Sequence, residues 1–344
     1  MHEKHITFPV GRVEHYFLYP LTFREFLAAI GAGDAVKAFD TIPLPAFAHE
    51  ALKDYFHRYA LIGGMPEVVA RYIKNDDVTS LNNVYDSLLI SYQDDAEKYA
   101  RNPTMATILR HCIETAPFAA GQRITFSGFG QSNYRSREVG EAMRTLQKAM
   151  LINLMYPSTS VEIPIIPDLN KSPRLQLLDT GLLNYFASLQ EQYFYHDNLH
   201  SFYKGILAEH IVGQELIALT TNTRKKQCFW VRGKSQSQAE VDYLVQHRGY
   251  VIPVEVKSGN TGRLRSLHQF MDRCPHYYAV RMYAGPLQIN PVKSPSGKRF
   301  YLLDLPYYLA SSVYKYLDWM MDTYENPPSE PTAGAKSRKV TSDQ

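Results

Sequence analysis

"AEVDYLVQHRGYVIPVEVKSG", residues 239–259, decides the fold. Two apolar runs, "EVDYLV" and "YVIPVEVK", flank the turn "QHRG", a pattern that predicts two neighbouring strands. Strand alternation puts Glu255 and Lys257 on one side of the second run and Val254 and Val256 on the other. In the first run Asp242 is expected to share a face with Glu240 and Leu244, while Val241 and Tyr243 face away. If the strands pair, Asp242 meets Glu255 and Lys257 on one surface.

Two carboxylates at that spacing repel unless a cation sits between them. A hard divalent ion such as Mg²⁺ takes oxygen ligands of this kind. It would acidify a bound water, which a lysine can orient. Asp242 and Glu255 are therefore the expected metal ligands, with Lys257 positioning the water. A third acid is expected from the helix "LAEHIVGQEL", which reads as amphipathic, as Glu209 or Glu215; Glu209, among Leu207, Ile211 and Val212, suits the edge of the buried face. Gln269 reads either as a further polar member or as an ordinary exposed helix residue. The same residues also read as a solvated strand face, or as a structural salt bridge from Lys257 to one of the acids.

Around this stretch, residues 174–310 alternate strands ("RLQLL", "CFWVRG", "HYYAVRMY", "RFYLLDL") with helices ("TGLLNYFA", "YKGILAEHIVGQELIAL", "GRLRSLHQFMD"). That pattern predicts an α/β unit around a central mixed sheet. Asp179 or Thr180 is placed to cap the first of these helices. Upstream, residues 104–166 read as helix, short strand "RITFSGFG", amphipathic helix "SREVGEAMRTLQKAMLI" and a hairpin of "LINLMY" with "VEIPIIP". This is the order of a winged helix-turn-helix. Its second helix presents Arg135, Arg137, Arg144 and Lys148, which can hold phosphates or read guanine. Interleaved Glu138 and Glu141 also allow a charged solvent face.

The first stretch, "ITFPVGRVEHYFLYPLTFREFLAAIG", reads as strand, turn, strand and then a short helix from Thr22, and the rest up to about residue 100 reads as helical packing. Thr22 and Glu25 form a capping box. Gly63 and Gly64 end one helix, and Pro66 starts the next. The tail from about residue 326 is rich in Pro, Ser and Lys and reads as disordered. The expected units are 1–30, 31–100 (helical), 101–170 (winged helix), 171–312 (α/β) and 313–344 (helix and tail).

The 344 residues are 45% hydrophobic and 21% charged, with net charge +3, which permits contact with DNA without arguing for it. No run is long and apolar enough to span a bilayer, and the N-terminus lacks a signal-peptide core, so the cytoplasm is the expected location. Cys112, Cys228 and Cys274 are far apart, which argues against a disulfide framework or a structural zinc site.

The helix-borne Glu followed by Asp and Glu-x-Lys resembles the PD-(D/E)XK nuclease-like superfamily. Three stretches together, "FPVGRVEHYFLYPLTFREFL", "LIGGMPEVV" and "LLDTGLLNYFA … GILAEHIVGQEL … FWVRG … EVDYLV … IPVEVKSG", resemble a family of bacterial and archaeal AAA-type ATPases. Its members carry an ATP-binding module, then a winged helix, then a domain of unknown function with a nuclease-like fold. The resemblance reaches about residue 310. The sequence has no G-x-x-x-x-G-K-[ST] loop, so no ATP site is expected in it, and it reads as a truncated or split member. The resemblance implies association with DNA, with a separate ATPase chain or with a second copy. It does not imply that the nuclease-like domain cuts. A non-catalytic scaffold therefore stands beside a Mg²⁺-dependent phosphodiesterase using Asp242, Glu255, Lys257 and Glu209.

Overall fold

The computed structural model describes residues 16–186, 206–220, 226–233, 239–258 and 264–328. The first of the expected N-terminal strands and most of the tail expected to be disordered lie outside these residues, and residues 16–22 form no strand. The N-terminal half is helical: α1 (Phe23–Ala29), α2 (Gly33–Asp40), α3 (His49–Ile62), α4 (Pro66–Asn75), α5 (Asn82–Lys98), α6 (Pro103–Thr115) and α7 (Ser136–Lys148). Thr22 caps α1 through the Glu25 backbone amide, and the Glu25 side chain returns the bond, as the capping box predicts. Asn102 caps α6, with Pro103 in its first turn.

Strands β1 (Ile152–Ser158) and β2 (Arg174–Leu177) follow, then α8 (Thr180–Phe186) and α9 (Ile206–Ala218). Next come β3 (Cys228–Val231), β4 (Glu240–Val241), β5 (Tyr243–His247), β6 (Tyr250–Val256), α10 (Arg265–Met271), β7 (Tyr278–Tyr283), β8 (Gln288–Lys293), β9 (Arg299–Pro306) and α11 (Val313–Thr323). The strands form two mixed sheets, ordered β2-β1-β3-β4 and β5-β6-β7-β9-β8. β1 is antiparallel to β2 and parallel to β3; β6, β7 and β9 run parallel, with antiparallel β5 and β8 on the edges.

Three expectations change. The partner of β1 is "RLQL", not "VEIPIIP": Ile152 pairs with Leu177 and Met155 with Arg174. Residues 161–167 form no strand, and among the described residues their one sheet-like pairing is an isolated Ser158–Pro167 bridge. Pro164 and Pro167 lack the donors a ladder needs, which "RLQL" supplies. "RITFSGFG" likewise makes a single bridge, from Arg123 to Arg174, in place of a strand. Finally, α9 is not amphipathic, since Ile211 to Leu216 are all buried.

The core has three parts. The largest joins α1 and α3 (Phe23, Phe56, Tyr59) to α9, to one face of the five-stranded sheet (Val254, Val280, Leu303) and to α11 (Tyr316, Met320). A second gathers α6, α7, β1 and β2 around Leu109, Met143, Leu146 and Leu154. A third lies under α10, where Leu267 and Phe270 meet Trp230, Val251 and Ala279. The five-stranded sheet is thus covered on both faces, which is why its central strands read as continuous apolar runs.

Candidate functional site

The decisive stretch forms the predicted hairpin. Arg248 and Gly249, both at positive φ, make its two-residue turn. Tyr243 lies opposite Val254, so the ladder carries Asp242 to the level of Glu255. Alternation breaks at Asp242, however. Val241 packs beside Trp230, whereas Tyr243 enters the large core on the other side, so the two do not share a face as expected. Asp242 causes the break: its Oδ2 accepts the Val256 N–H at 2.8 Å, a bond from side chain to backbone where a strand would use its own carbonyl.

Asp242 and Glu255 are both buried. Lys257 donates to Glu255 Oε1 at 2.6 Å, while Glu255 Oε2 has no hydrogen-bond partner among the described residues. Glu209 joins them from α9. That helix crosses β2 and β5 closely at Gly213, where a Cβ would overlap the Gln176 amide, and the Tyr243 hydroxyl donates to the Glu209 carbonyl at 2.6 Å. Glu215 does not join. It lies on the other side of α9, accepting from the Phe23 N–H at 2.9 Å and the Tyr59 hydroxyl at 2.6 Å. Gln269 accepts from Arg232 at 3.0 Å and is half-buried, so it is tied to β3 and does not meet the acids.

The member that sequence reasoning missed is Arg174. Its Nη1 lies 3.4 Å from Glu209 Oε2 and 3.4 Å from Asp242 Oδ1, and its Nη2 lies 3.2 Å from Glu240 Oε2. Its guanidinium stacks on the Phe229 ring at 4.8 Å. Arg123 holds the other Glu240 oxygen at 2.8 Å. Alternation along "RLQL" held the signal, because Arg174 and Gln176 share the face turned to α9, where Gln176 donates to the His210 carbonyl at 3.0 Å.

Burial dominates the electrostatics. It pushes the Glu255 carboxyl up to about 8, reinforced by the Asp242 charge and opposed by Lys257. It raises Glu209 to about 7, again with Asp242 adding and Arg174 opposing. Asp242 is raised by burial against the pull of Arg174 and the Val256 amide. Burial pulls Lys257 down, but Glu255, Asp242 and Glu209 outweigh it and hold the ammonium above its ordinary value. The pocket therefore holds an acid able to keep a proton near neutral pH beside a lysine that stays charged.

These oxygens do not fit a divalent ion as they stand. The Asp242 and Glu209 oxygens that would face it converge on Arg174, and among the described residues no group of three or more His, Cys, Asp or Glu is arranged to hold a metal.

Of the basic residues predicted around the second helix, Arg137, Arg144 and Lys148 lie on α7 and Arg135 is its N-cap. Arg135, Arg137, Arg144 and Lys148 are all exposed, and among the described residues none pairs with a carboxylate. The interleaved acids are occupied. Glu138 accepts the Arg135 N–H at 3.1 Å, and Glu141 pairs with Arg101 at 3.1 Å. Val139, Met143 and Leu146 bury the opposite face; Met150 falls beyond the helix end, at positive φ.

Among known families, residues 53–193 match a domain of unknown function (DUF8612), and residues 204–302 match a second domain of unknown function (DUF4143). No curated protein and no solved structure matches the chain. Among the described residues no helix is long and apolar enough to cross a membrane.

Proposed function

We propose that the chain is a DNA-associated binding scaffold whose contact element is α7. The observation that carries this reading is the basic face of α7, which among the described residues pairs with no carboxylate: Arg137, Arg144 and Lys148 recur at helical spacing, Arg135 leads into them, and both intervening acids are bonded elsewhere within the protein. On a self-paired solvent face Glu138 and Glu141 would pair with these arginines; here Glu138 accepts the Arg135 N–H and Glu141 pairs with Arg101. The order α6, α7, β1, β2 around one core supports a winged helix, with α7 as the helix that enters the major groove. The α9 acid, the β5–β6 hairpin and α10 support a PD-(D/E)XK-like arrangement for the C-terminal sheet. A DUF4143 segment often lies C-terminal to AAA ATPases, which supports work alongside a separate ATPase chain.

The test is duplex binding by fluorescence anisotropy at several salt concentrations. Wild type is expected to bind with an affinity that falls steeply with salt. The double variant Arg137→Glu, Arg144→Glu is expected to lose at least about tenfold and to show a salt slope shallower by about 2. Equal affinity and slope in the two proteins refute the reading.

A second reading, divalent-ion-dependent phosphodiester cleavage, is favoured by one observation: the ladder sets Asp242 level with Glu255 and beside Lys257. That reading requires Arg174 to leave the acids. Cleavage of branched, single-stranded or duplex DNA in Mg²⁺ or Mn²⁺, lost in Glu255→Ala and Lys257→Ala, would favour it over the scaffold.

A further inference from the structure

Arg174 is 7% exposed, so its charge must be met inside the protein. Three carboxylates from three elements surround it: Glu209 on α9, Glu240 on β4 and Asp242 at the bend. All three distances are longer than the roughly 2.7–2.9 Å of a tight charged pair, so the guanidinium straddles the acids and grips none of them alone. Glu209 Oε2 and Asp242 Oδ1 flank the same nitrogen, Nη1. The other cations nearby are committed elsewhere, Arg123 to the second oxygen of Glu240 and Lys257 to Glu255. Among the described residues Glu255 Oε2 stays buried without a hydrogen-bond partner, in a side chain 7% exposed that feels the Asp242 charge.

We propose that Arg174 is a built-in cation that takes the place of a divalent ion between Glu209 and Asp242, and that by doing so it latches the β1–β2 hairpin to the C-terminal sheet. The next residue on β2, Leu175, belongs to the core shared by α6 and α7, while Arg174 itself reaches to Glu209 on α9 and to Asp242, whose other oxygen accepts the Val256 N–H on β6 of the C-terminal sheet. Closing the pocket and docking the hairpin are thus one event. Without the guanidinium, Glu209, Glu240 and Asp242 face one another uncompensated. Only protonation or another cation relieves that repulsion, and an all-oxygen set suits a hard divalent ion. The inference holds whether or not α7 binds DNA, and Mn²⁺ binding reads it without reference to nucleic acid.

The test is Mn²⁺ binding to the full chain, followed by the paramagnetic resonance of free Mn²⁺ and by thermal melting. Wild type is expected to leave Mn²⁺ free and its melting temperature unmoved. Arg174→Met, of similar length without the charge, is expected to melt lower, to bind one Mn²⁺ and to regain stability as it does. Adding Asp242→Asn should abolish both the binding and the rescue. Wild type that binds Mn²⁺ as well as Arg174→Met overturns the proposal, as does a folded Arg174→Met that binds none. Should Arg174→Met not fold, Arg174→Lys replaces it. One ammonium cannot serve three carboxylates, so this variant is expected to bind Mn²⁺ more tightly than wild type, and equal binding overturns the proposal.

Discussion

Glu255 is the residue whose surroundings make the sharpest statement about pH. Its carboxyl titrates near 4.5 when unfolded and at about 8 when folded. Between those values the folded chain binds the extra proton, so stability falls as pH rises. Glu209 and Glu215, raised chiefly by burial to about 7, act in the same direction. Buried His210 and His276, lowered to about 4, act oppositely, but their contribution is complete above the ordinary histidine value of 6.5. The window from pH 6.5 to 8 therefore isolates the carboxyls. The melting temperature is expected to fall across it, and Glu255→Gln to flatten the slope, recovering on the order of 1–2 kcal/mol at pH 8. A wild-type melting temperature that holds or rises there, or an equal slope in Glu255→Gln, would contradict this. The acids were legible in the sequence because alternation and spacing are local. Arg174 was not, because its partners lie 35, 66 and 68 residues away. Alternation along "RLQL" sets the face that Arg174 takes, but nothing near position 174 says that three carboxylates will converge there.

Among the elements, the motif "LIGGMPEVV" turns out to serve packing. Asp179 caps α8 by accepting the Gly181 N–H at 2.8 Å with Oδ1, and its Oδ2 accepts the Gly64 N–H at 2.7 Å. Gln214 on α9 donates to the same Oδ2 at 3.2 Å and accepts from the Thr180 amide at 2.8 Å. One buried carboxylate thus joins the turn after α3, the start of α8 and the middle of α9. Gly63 makes this possible. At φ 73° and ψ −171° it occupies a region essentially closed to other residues, and a Cβ there would overlap Asp179 Oδ1. Gly63→Ala is expected to cost about 2–4 kcal/mol in urea unfolding, from backbone strain plus the displaced carboxylate. A loss under about 0.5 kcal/mol, the range of ordinary surface changes, would show that Asp179 does not organise the junction. The cap at Asp179 and the glycine break were readable from short-range rules. That the two meet was not, since the Asp179–Gly64 bond spans 115 residues.

For the whole molecule, the described helices from α1 to the start of α5 share their core with the C-terminal sheet, although they come far earlier in the chain. The middle segment, from the end of α5 to β2, keeps a core of its own and meets the rest through β1, which pairs with β3, through Arg123 and Arg174, and through Gln176, which donates to the His210 carbonyl. Composition and periodicity marked this segment as different but misplaced its second strand, so the expected edge at residue 170 falls just before the strand that closes the hairpin. This arrangement sets the basic face of α7 on the middle segment and the acid pocket where that segment joins the sheet. Hydrogen–deuterium exchange of the full chain with and without duplex DNA tests that division of labour most directly. The account predicts DNA-dependent protection across residues 133–148, with the strands around Asp242 and Glu255 unchanged. Protection absent from α7, or confined to the acid pocket, would contradict it.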